Sequence, residues 1–332
     1  MQESAWIETY TRAFGKLKVD RVPGRYPEFT NSRAPHKPLL LLTILDLAAQ
    51  QQLPNNFIYY NTDLLDIFDL YWQKVMGDGR AGNPLLPFFH LKSDGFWHLV
   101  AQPGREDVLR ATTQIRSLRV LRELVLGARL DDELYTLIQL AVPRDTLRAV
   151  LIERYFAPAM RDILVETGVI TSDAFAYSRD LLERSRSRFV LAEAPTVDMQ
   201  YRTEARSAGF RRVVIHAYDH TCAVCGIRLL TPEGRTSVAA SHIVPWSYSH
   251  NDDPRNGLAL CGLHHWAFDQ GLLTVTPAHT VAISLVVPEE DRTQSLRELG
   301  GRPIAKPIDL RLWPARAALR WHNTTIYRAA GV

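Results

Sequence analysis

Apolar and polar positions along the chain follow several distinct periods, and each predicts an element. The run Pro38-Leu-Leu-Leu-Leu-Thr-Ile-Leu-Asp46, opened by Ala34-Pro35-His36-Lys37-Pro38, predicts a buried helix to about Gln50. Pro38 suits its first turn, where a missing N–H costs nothing. From Asn61 to Met76, the spacing of Leu64, Leu65, Phe68, Tyr71, Trp72 and Val75 predicts an amphipathic helix. A Gly-rich turn over 77–84 leads into Leu85-Leu-Pro-Phe-Phe-His-Leu91, and Ser93-Asp94-Gly95 separates that run from Phe96-Trp97-His98-Leu99. Two short strand-like runs across an Asp-Gly turn predict a hairpin. Residues 106–165 read as mainly helical, with one helix starting near Pro143. Residues 179–188 are helix-compatible and basic, either a solvated surface or a phosphate-facing stretch, and Ala194-Pro195-Thr196 breaks them off. Residues 201–218 predict a helix that delivers the chain to Cys222. Its Arg202, Arg206 and Arg212 suit DNA phosphates and plain solubility equally.

This order gives an α+β chain of two domains: a mixed helical and hairpin domain over 1–165, a basic helical linker over 166–200, and a second domain over 201–332. The length of 332 residues, with 46% hydrophobic and 23% charged, fits that count and excludes a disordered or collagen-like chain. A net charge of +3 permits a nucleic-acid partner without demanding one. No apolar stretch approaches the roughly 18 residues that would cross a bilayer, and the acid-containing N-terminus lacks a signal-peptide core. The expected location is cytoplasmic, with no membrane partner.

The three cysteines sharpen the picture. Cys222-Ala-Val-Cys225 and Cys261-Gly-Leu-His264 are two ligand pairs, each with two intervening residues, and together they use every cysteine in the chain. An odd thiol count argues against a disulfide framework. A Cys₃His set closes a tetrahedral zinc site with no position left for water, so this zinc is expected to hold the fold rather than react.

Between the pairs lie Val238-Ala-Ala-Ser-His-Ile-Val-Pro-Trp-Ser247 and Asn251-Asp-Asp-Pro-Arg-Asn-Gly-Leu-Ala-Leu260, and His265 follows the last ligand. Phe268-Asp269-Gln270-Gly271-Leu272-Leu273 continues toward a closing strand. Over about 201–280 this succession resembles the HNH, or ββα-metal, nucleases, which implies a zinc-stabilised nuclease domain. By that resemblance His242 is the general base that deprotonates water, as suits an imidazole near neutral pH. Asn256 orients the hairpin and the base, and His265 holds a catalytic divalent cation, Mg²⁺ or Mn²⁺, that stabilises the leaving oxygen. Adjacent helical side chains point about 100° apart, so His264 can face zinc while His265 faces a cleft. Asp269 reads as a capping or pairing residue, with a metal role as its alternative. Where many of these nucleases carry a metal-ligating acid or histidine before the base, this chain has Ser241. Either Ser241 contributes weakly, or the cation relies on His265, water and DNA phosphate.

The first domain resembles the sulfur-binding domain of McrA-like type IV restriction enzymes, through Arg33-Ala-Pro-His36-Lys37-Pro38, Asn83-Pro84-Leu-Leu-Pro87-Phe88-Phe89-His90-Leu and Ser93-Asp94-Gly95-Phe96-Trp97. The resemblance implies binding of phosphorothioated duplex DNA. Sulfur on a backbone phosphate is larger, softer and less hydrated than oxygen, so a reader needs an apolar dent with cationic donors around it. Leu86 and Pro87 are candidates for the dent, with His90 beside them, and Arg33, His36 and Lys37 for the rim. Arg80 and Asn83 are candidates for base edges. Leu86 stands where the family usually has tyrosine. The expected function is a modification-dependent restriction endonuclease, acting as a homodimer because one HNH site cuts one strand. The alternatives are an HNH endonuclease for unmodified or base-modified DNA, and a catalytically silent zinc-containing DNA-binding regulator.

Overall fold

The computed structural model describes residues 2–77, 82–192, 201–231, 234–289 and 294–329. The chain divides into two units, Met1–Ser172 with Pro232–Arg235, and Asp173–Thr231 with Thr236–Val332. The first holds α1 (Gln2–Phe14), α2 (His36–Ala49), α3 (Thr62–Met76), α4 (Leu85–His90), β1 (Trp97–Ala101), α5 (Glu106–Ala111), α6 (Leu118–Leu124), β2 (Val125–Leu130), α7 (Asp132–Gln139), α8 (Ala141–Tyr155) and the start of α9 (Pro158–Arg184). Helix α9 runs through the expected boundary at 165 and into the stretch read as a linker.

Helix α2 lies at the centre of the first unit. Every residue from Lys37 to Ala48 is buried, and the helix packs on α3, α4, α7 and α8, as an all-round apolar helix must. Helix α3 begins where the Asn61 Oδ1 accepts the Leu64 N–H at 3.1 Å, the N-cap that its polar-then-apolar start requires. The buried Asp46 carboxylate is satisfied by the Tyr71 hydroxyl at 2.8 Å, the Thr171 hydroxyl at 2.7 Å and an ion pair with Arg148.

The hairpin expected across Ser93-Asp94-Gly95 does not form. Its first run is helix α4, followed by a 3-10 turn over Leu91–Asp94. Asn83 caps the helix by accepting the Leu85 N–H at 3.0 Å. Leu85, Phe88 and Phe89 then bury together at helical spacing, whereas a strand would have sent Phe88 and Phe89 to opposite faces. A six-residue apolar run fits either period, and the cap decides. Strand β1 pairs instead with β2, antiparallel, from Trp97 opposite Leu130 to Ala101 opposite Val125. Strand β2 falls in a segment read as helical. Gly127 makes it possible, because a Cβ there would sit 2.4 Å from the Phe57 ring and 2.7 Å from the Ile58 carbonyl oxygen.

The second unit holds the rest of α9, then α10 (Thr203–Ala217), β3 (Val238–His242), α11 (Trp246–Ser249), β4 (Gly257–Cys261), α12 (Gly262–Asp269), β5 (Leu273–Val275), β6 (Val281–Ile283), α13 (Gln294–Arg297) and α14 (Arg316–Thr325). Strands β3 and β4 are antiparallel, with Val238 opposite Cys261 and His242 opposite Gly257. Helix α12 follows β4 directly and packs on β3, β4 and β5, while α10 covers the hairpin. Phe210, Val214, Ile243, Leu258, Leu260 and Phe268 are among the apolar side chains that fill the space between them. Gly257 has no substitute there, since a Cβ would meet Val214 at 2.5 Å. The helix expected over 201–218 is α10, and the closing strand is β5. Among the described residues no helix is long and apolar enough to cross a membrane.

Candidate active site

The two ligand pairs meet. Cys222, Cys225, Cys261 and His264 each turn one donor atom inward, and the four donors lie within 4.8 Å of one another. The His264 Nδ1 is 3.4 Å from the Cys222 Sγ and 3.2 Å from the Cys261 Sγ. A tetrahedral ion with zinc's bond lengths sets such separations near ~3.5 Å, so the donor set fits a structural zinc. Burial opposes ionisation of Cys222, but His264 and nearby backbone N–H groups outweigh it and bring the thiol down to about 6. Burial pushes Cys225 up to about 12, and Cys261 up as well. Three thiols this close do not all ionise unaided, and a central cation lets all three bind as thiolates.

The hairpin carries His242 at the end of β3. Its ring lies flat on Phe210, with centroids 3.9 Å apart and planes 5° from parallel. Its Nε2 is 2.6 Å from Oδ1 of Asp252, a fully buried carboxylate. The other oxygen, Oδ2, accepts the Tyr177 hydroxyl at 3.0 Å and ion-pairs with Arg206. Burial alone would raise the Asp252 pKa; His242 and Arg206 hold it below the usual carboxylate value. Asn256 is also fully buried, and it ties the chain just beyond His242. Its Oδ1 accepts the Val244 N–H at 2.9 Å, and its Nδ2 donates to the Val244 carbonyl at 3.0 Å and the Asn251 carbonyl at 2.9 Å.

Helix α12 turns His264 inward and leaves His265 partly exposed. The His265 Nε2 is 3.5 Å from the Asp269 Oδ2, one helical turn on, a spacing that two donors to one cation also take. Burial raises the Asp269 pKa against the pull of His265. Ser241 is 2% exposed, and its hydroxyl has no hydrogen-bond partner in the protein. It alternates away from His242 along β3, so it does not share that residue's face.

Asp252 and Tyr177 are site residues that sequence reading missed, and it misplaced Arg206. Its charge suited a phosphate contact and a solvated surface equally, but Arg206 is buried against Asp252, with its guanidinium 3.9 Å from the Trp246 ring. The signal was present: Arg206 stands at helical spacing with Gly209, Phe210 and Val213, on the inward stripe of α10.

In the first unit the proposed readers have diverse surroundings. His36 packs against the Trp72 ring at 4.7 Å, and burial, helped by Arg25, pushes its pKa down to about 4, so it is neutral. Lys37 ion-pairs with Asp94 at 2.5 Å and lies 3.3 Å from the Ser93 hydroxyl. Arg33 sits over the Tyr155 ring at 6.0 Å, with Nη1 buried and unbonded within the protein. Its pKa is lowered by burial, and by Arg21 and Arg154. Asn83 caps α4, Pro87 is buried, and Leu86 is exposed with His90 one turn beyond it. Burial lowers the His90 pKa, as do Lys37 and Lys92. Arg80 lies outside the described residues.

Residues 222–276 match a family model described as HNH endonuclease, and residues 8–172 match one described as ScoMcrA-like, DNA sulfur-binding domain. No curated protein matches the chain. Among solved structures, a "Modification dependent TagI restriction endonuclease" is similar at 24% identity with a TM-score of 0.27. That similarity covers 35% of this chain and 37% of that one.

Proposed function

From a chain that joins a ScoMcrA-like DNA sulfur-binding domain to an HNH endonuclease domain, we propose a modification-dependent restriction endonuclease that binds phosphorothioated duplex DNA and cuts near the mark. The observation that carries the nuclease half is the β3–β4–α12 arrangement, in which His242 ends a hairpin whose other strand runs into the zinc ligand Cys261. His242 takes a proton from water, and the hydroxide so formed attacks phosphorus as the bond to the leaving oxygen breaks. Asn256 keeps the segment after His242 in one conformation through three buried hydrogen bonds. A divalent cation held by His265, with Asp269 beside it, would supply Lewis-acid stabilisation of the leaving oxygen. Zinc at the Cys₃His cluster fixes the hairpin to α12 and takes no part in the reaction.

On the DNA-reading side, the exposed Leu86 on α4, with His90 on the same face, suits a soft sulfur at the edge of an anionic backbone. A homodimer would bring two nuclease sites to the two strands. One observation favours a second reading, an HNH endonuclease for unmodified or base-modified DNA. Lys37 is already paired with Asp94 and His36 is neutral, which leaves a thinner cationic rim around Leu86.

Cleavage of two duplexes that differ only by one phosphorothioate, in Mg²⁺ and in Mn²⁺, separates these readings. The modified duplex is cut at least ~10-fold faster by the wild-type chain, and His242→Ala slows its cleavage by roughly 10²–10⁴-fold. Equal rates on the two duplexes remove the sulfur dependence and leave the nuclease standing. Undiminished cleavage by His242→Ala removes the general base.

A further inference from the structure

The His242 ring has almost no freedom to turn. Phe210 fixes its plane, and Asp252 fixes its Nε2 edge. Asp252 is itself fixed by Tyr177 from α9 and Arg206 from α10, both donating to Oδ2. Its side chain is fully buried, and that of Arg206 is 9% exposed. Burying a carboxylate and a guanidinium is costly, and a hydrophobic pair would pack as well, so a buried pair aimed at an ionisable ring calls for an explanation beyond stability.

An ionised carboxylate only accepts hydrogen bonds. Facing Oδ1, the neutral imidazole must therefore carry its hydrogen on Nε2, which leaves the lone pair on Nδ1. We propose that Asp252 is a positioning residue: held by Arg206 and Tyr177, it accepts the Nε2–H of His242 and so makes Nδ1 the nitrogen that takes the proton from water. The proposal rests on the reading of His242 as general base. During the reaction the O–H bond of water breaks, N–H forms at Nδ1, and the resulting imidazolium faces the Asp252 anion. Arg206 keeps the Asp252 proton affinity low, so the proton stays on the ring.

Asp252→Asn tests this without changing shape. Tyr177 and Arg206 both donate, so the new amide must turn its oxygen toward them and its NH₂ toward His242. The Nε2 must then accept, the hydrogen moves to Nδ1, and the base presents the wrong face. The expected result is a kcat for phosphodiester cleavage lower by roughly 10²-fold or more, with the DNA KM within about twofold. The tautomer is read directly in zinc-loaded full-length protein labelled with ¹⁵N-histidine, at mildly alkaline pH. The His242 signals are identified by their absence from His242→Gln. The unsubstituted protein shows Nε2–H and Asp252→Asn shows Nδ1–H, a switch that loss of a merely structural contact would not produce.

An Nδ1–H tautomer in the unsubstituted protein overturns the proposal, whether or not Asp252→Asn folds. So does an Asp252→Asn enzyme with undiminished kcat while His242→Ala is inactive, a result that leaves the general base in place. Undiminished cleavage by His242→Ala overturns the underlying reading instead.

Discussion

The two units use their charged side chains in opposite ways. In the second unit, Asp252, Arg206 and Tyr177 form a buried chain of donors and acceptors that ends on a partly exposed imidazole. In the first, Asp46, Arg148, Tyr71 and Thr171 form a network of similar make-up whose member nearest solvent is Arg148, 15% exposed and permanently charged, and Lys37 is neutralised by Asp94. A buried ionic network is thus no sign of a site by itself. What marks one is a member near solvent that can take up and release a proton while the others stay fixed.

The same contrast extends to what holds each unit together. A structural zinc contributes roughly 10–16 kcal/mol of apparent binding energy, comparable to the whole stability of a typical domain at about 5–15 kcal/mol. Removing the metal by chelation, or substituting Cys225→Ser, is therefore expected to unfold the hairpin and α12. The first unit, whose core is built on α2 and has no Cys/His/Asp/Glu cluster of metal-binding geometry among the described residues, should keep its order. Hydrogen exchange read segment by segment checks this. Protection should vanish over 222–231 and 236–275 and persist in α2 and α3, and equal loss in both would break the comparison.

A smaller effect comes from acid. The second unit buries His322 as a neutral ring: Nδ1 accepts the Thr274 hydroxyl at 2.7 Å, and Nε2 donates to the Phe268 carbonyl at 3.2 Å. Burial pushes its pKa down to about 4. The unfolded chain protonates near ~6.5 and the folded one does not, so stability is intact above that pH and falls as pH drops toward 4. The whole shift corresponds to at most about 3 kcal/mol. His322→Gln should flatten this slope in urea unfolding between about pH 7 and 4.5. The difference between the two proteins is the quantity to read, because any acid-driven loss of a metal from the Cys₃His cluster would be common to both. Parallel curves would mean that His322 does not titrate between the states.

The second unit was also the more legible in sequence, for a physical reason. Metal ligation and general-base chemistry restrict residue type and spacing, so Cys222, Cys225, Cys261 and His264 could be brought together before any fold was known. Asp252 escaped notice because Asn251-Asp252-Asp253-Pro254 has the composition of a turn, and Asp253 does cap one, accepting the Arg255 N–H at 2.9 Å. Nothing local marks which of two adjacent acids turns inward; that depends on Arg206, 46 residues earlier. In the first unit the long elements α2 and α3 were legible from period alone, whereas α4 and β2 were not. A six-residue apolar run has no decisive period, and β2 depends on the close approach of Gly127 to residues 57–58.

The finest test of the contrast concerns Leu86. It is 42% exposed on α4, so its side chain is open to meet a soft ligand atom. Truncation to alanine removes contact worth roughly 1 kcal/mol, about a fivefold change in affinity, and does so only for a ligand atom that prefers apolar company over water. A charge-driven contact with phosphate oxygen would not feel the change, because Leu86 supplies no donor. Leu86→Ala should therefore weaken binding of a phosphorothioated duplex about fivefold and leave binding of the matched plain duplex unaltered, both measured at one salt concentration. A substitution at an exposed position such as this has little reach into the core, so a selective loss cannot be assigned to unfolding. If both affinities fall together, Leu86 touches DNA without reading sulfur. If neither falls, Leu86 takes no part in binding either duplex.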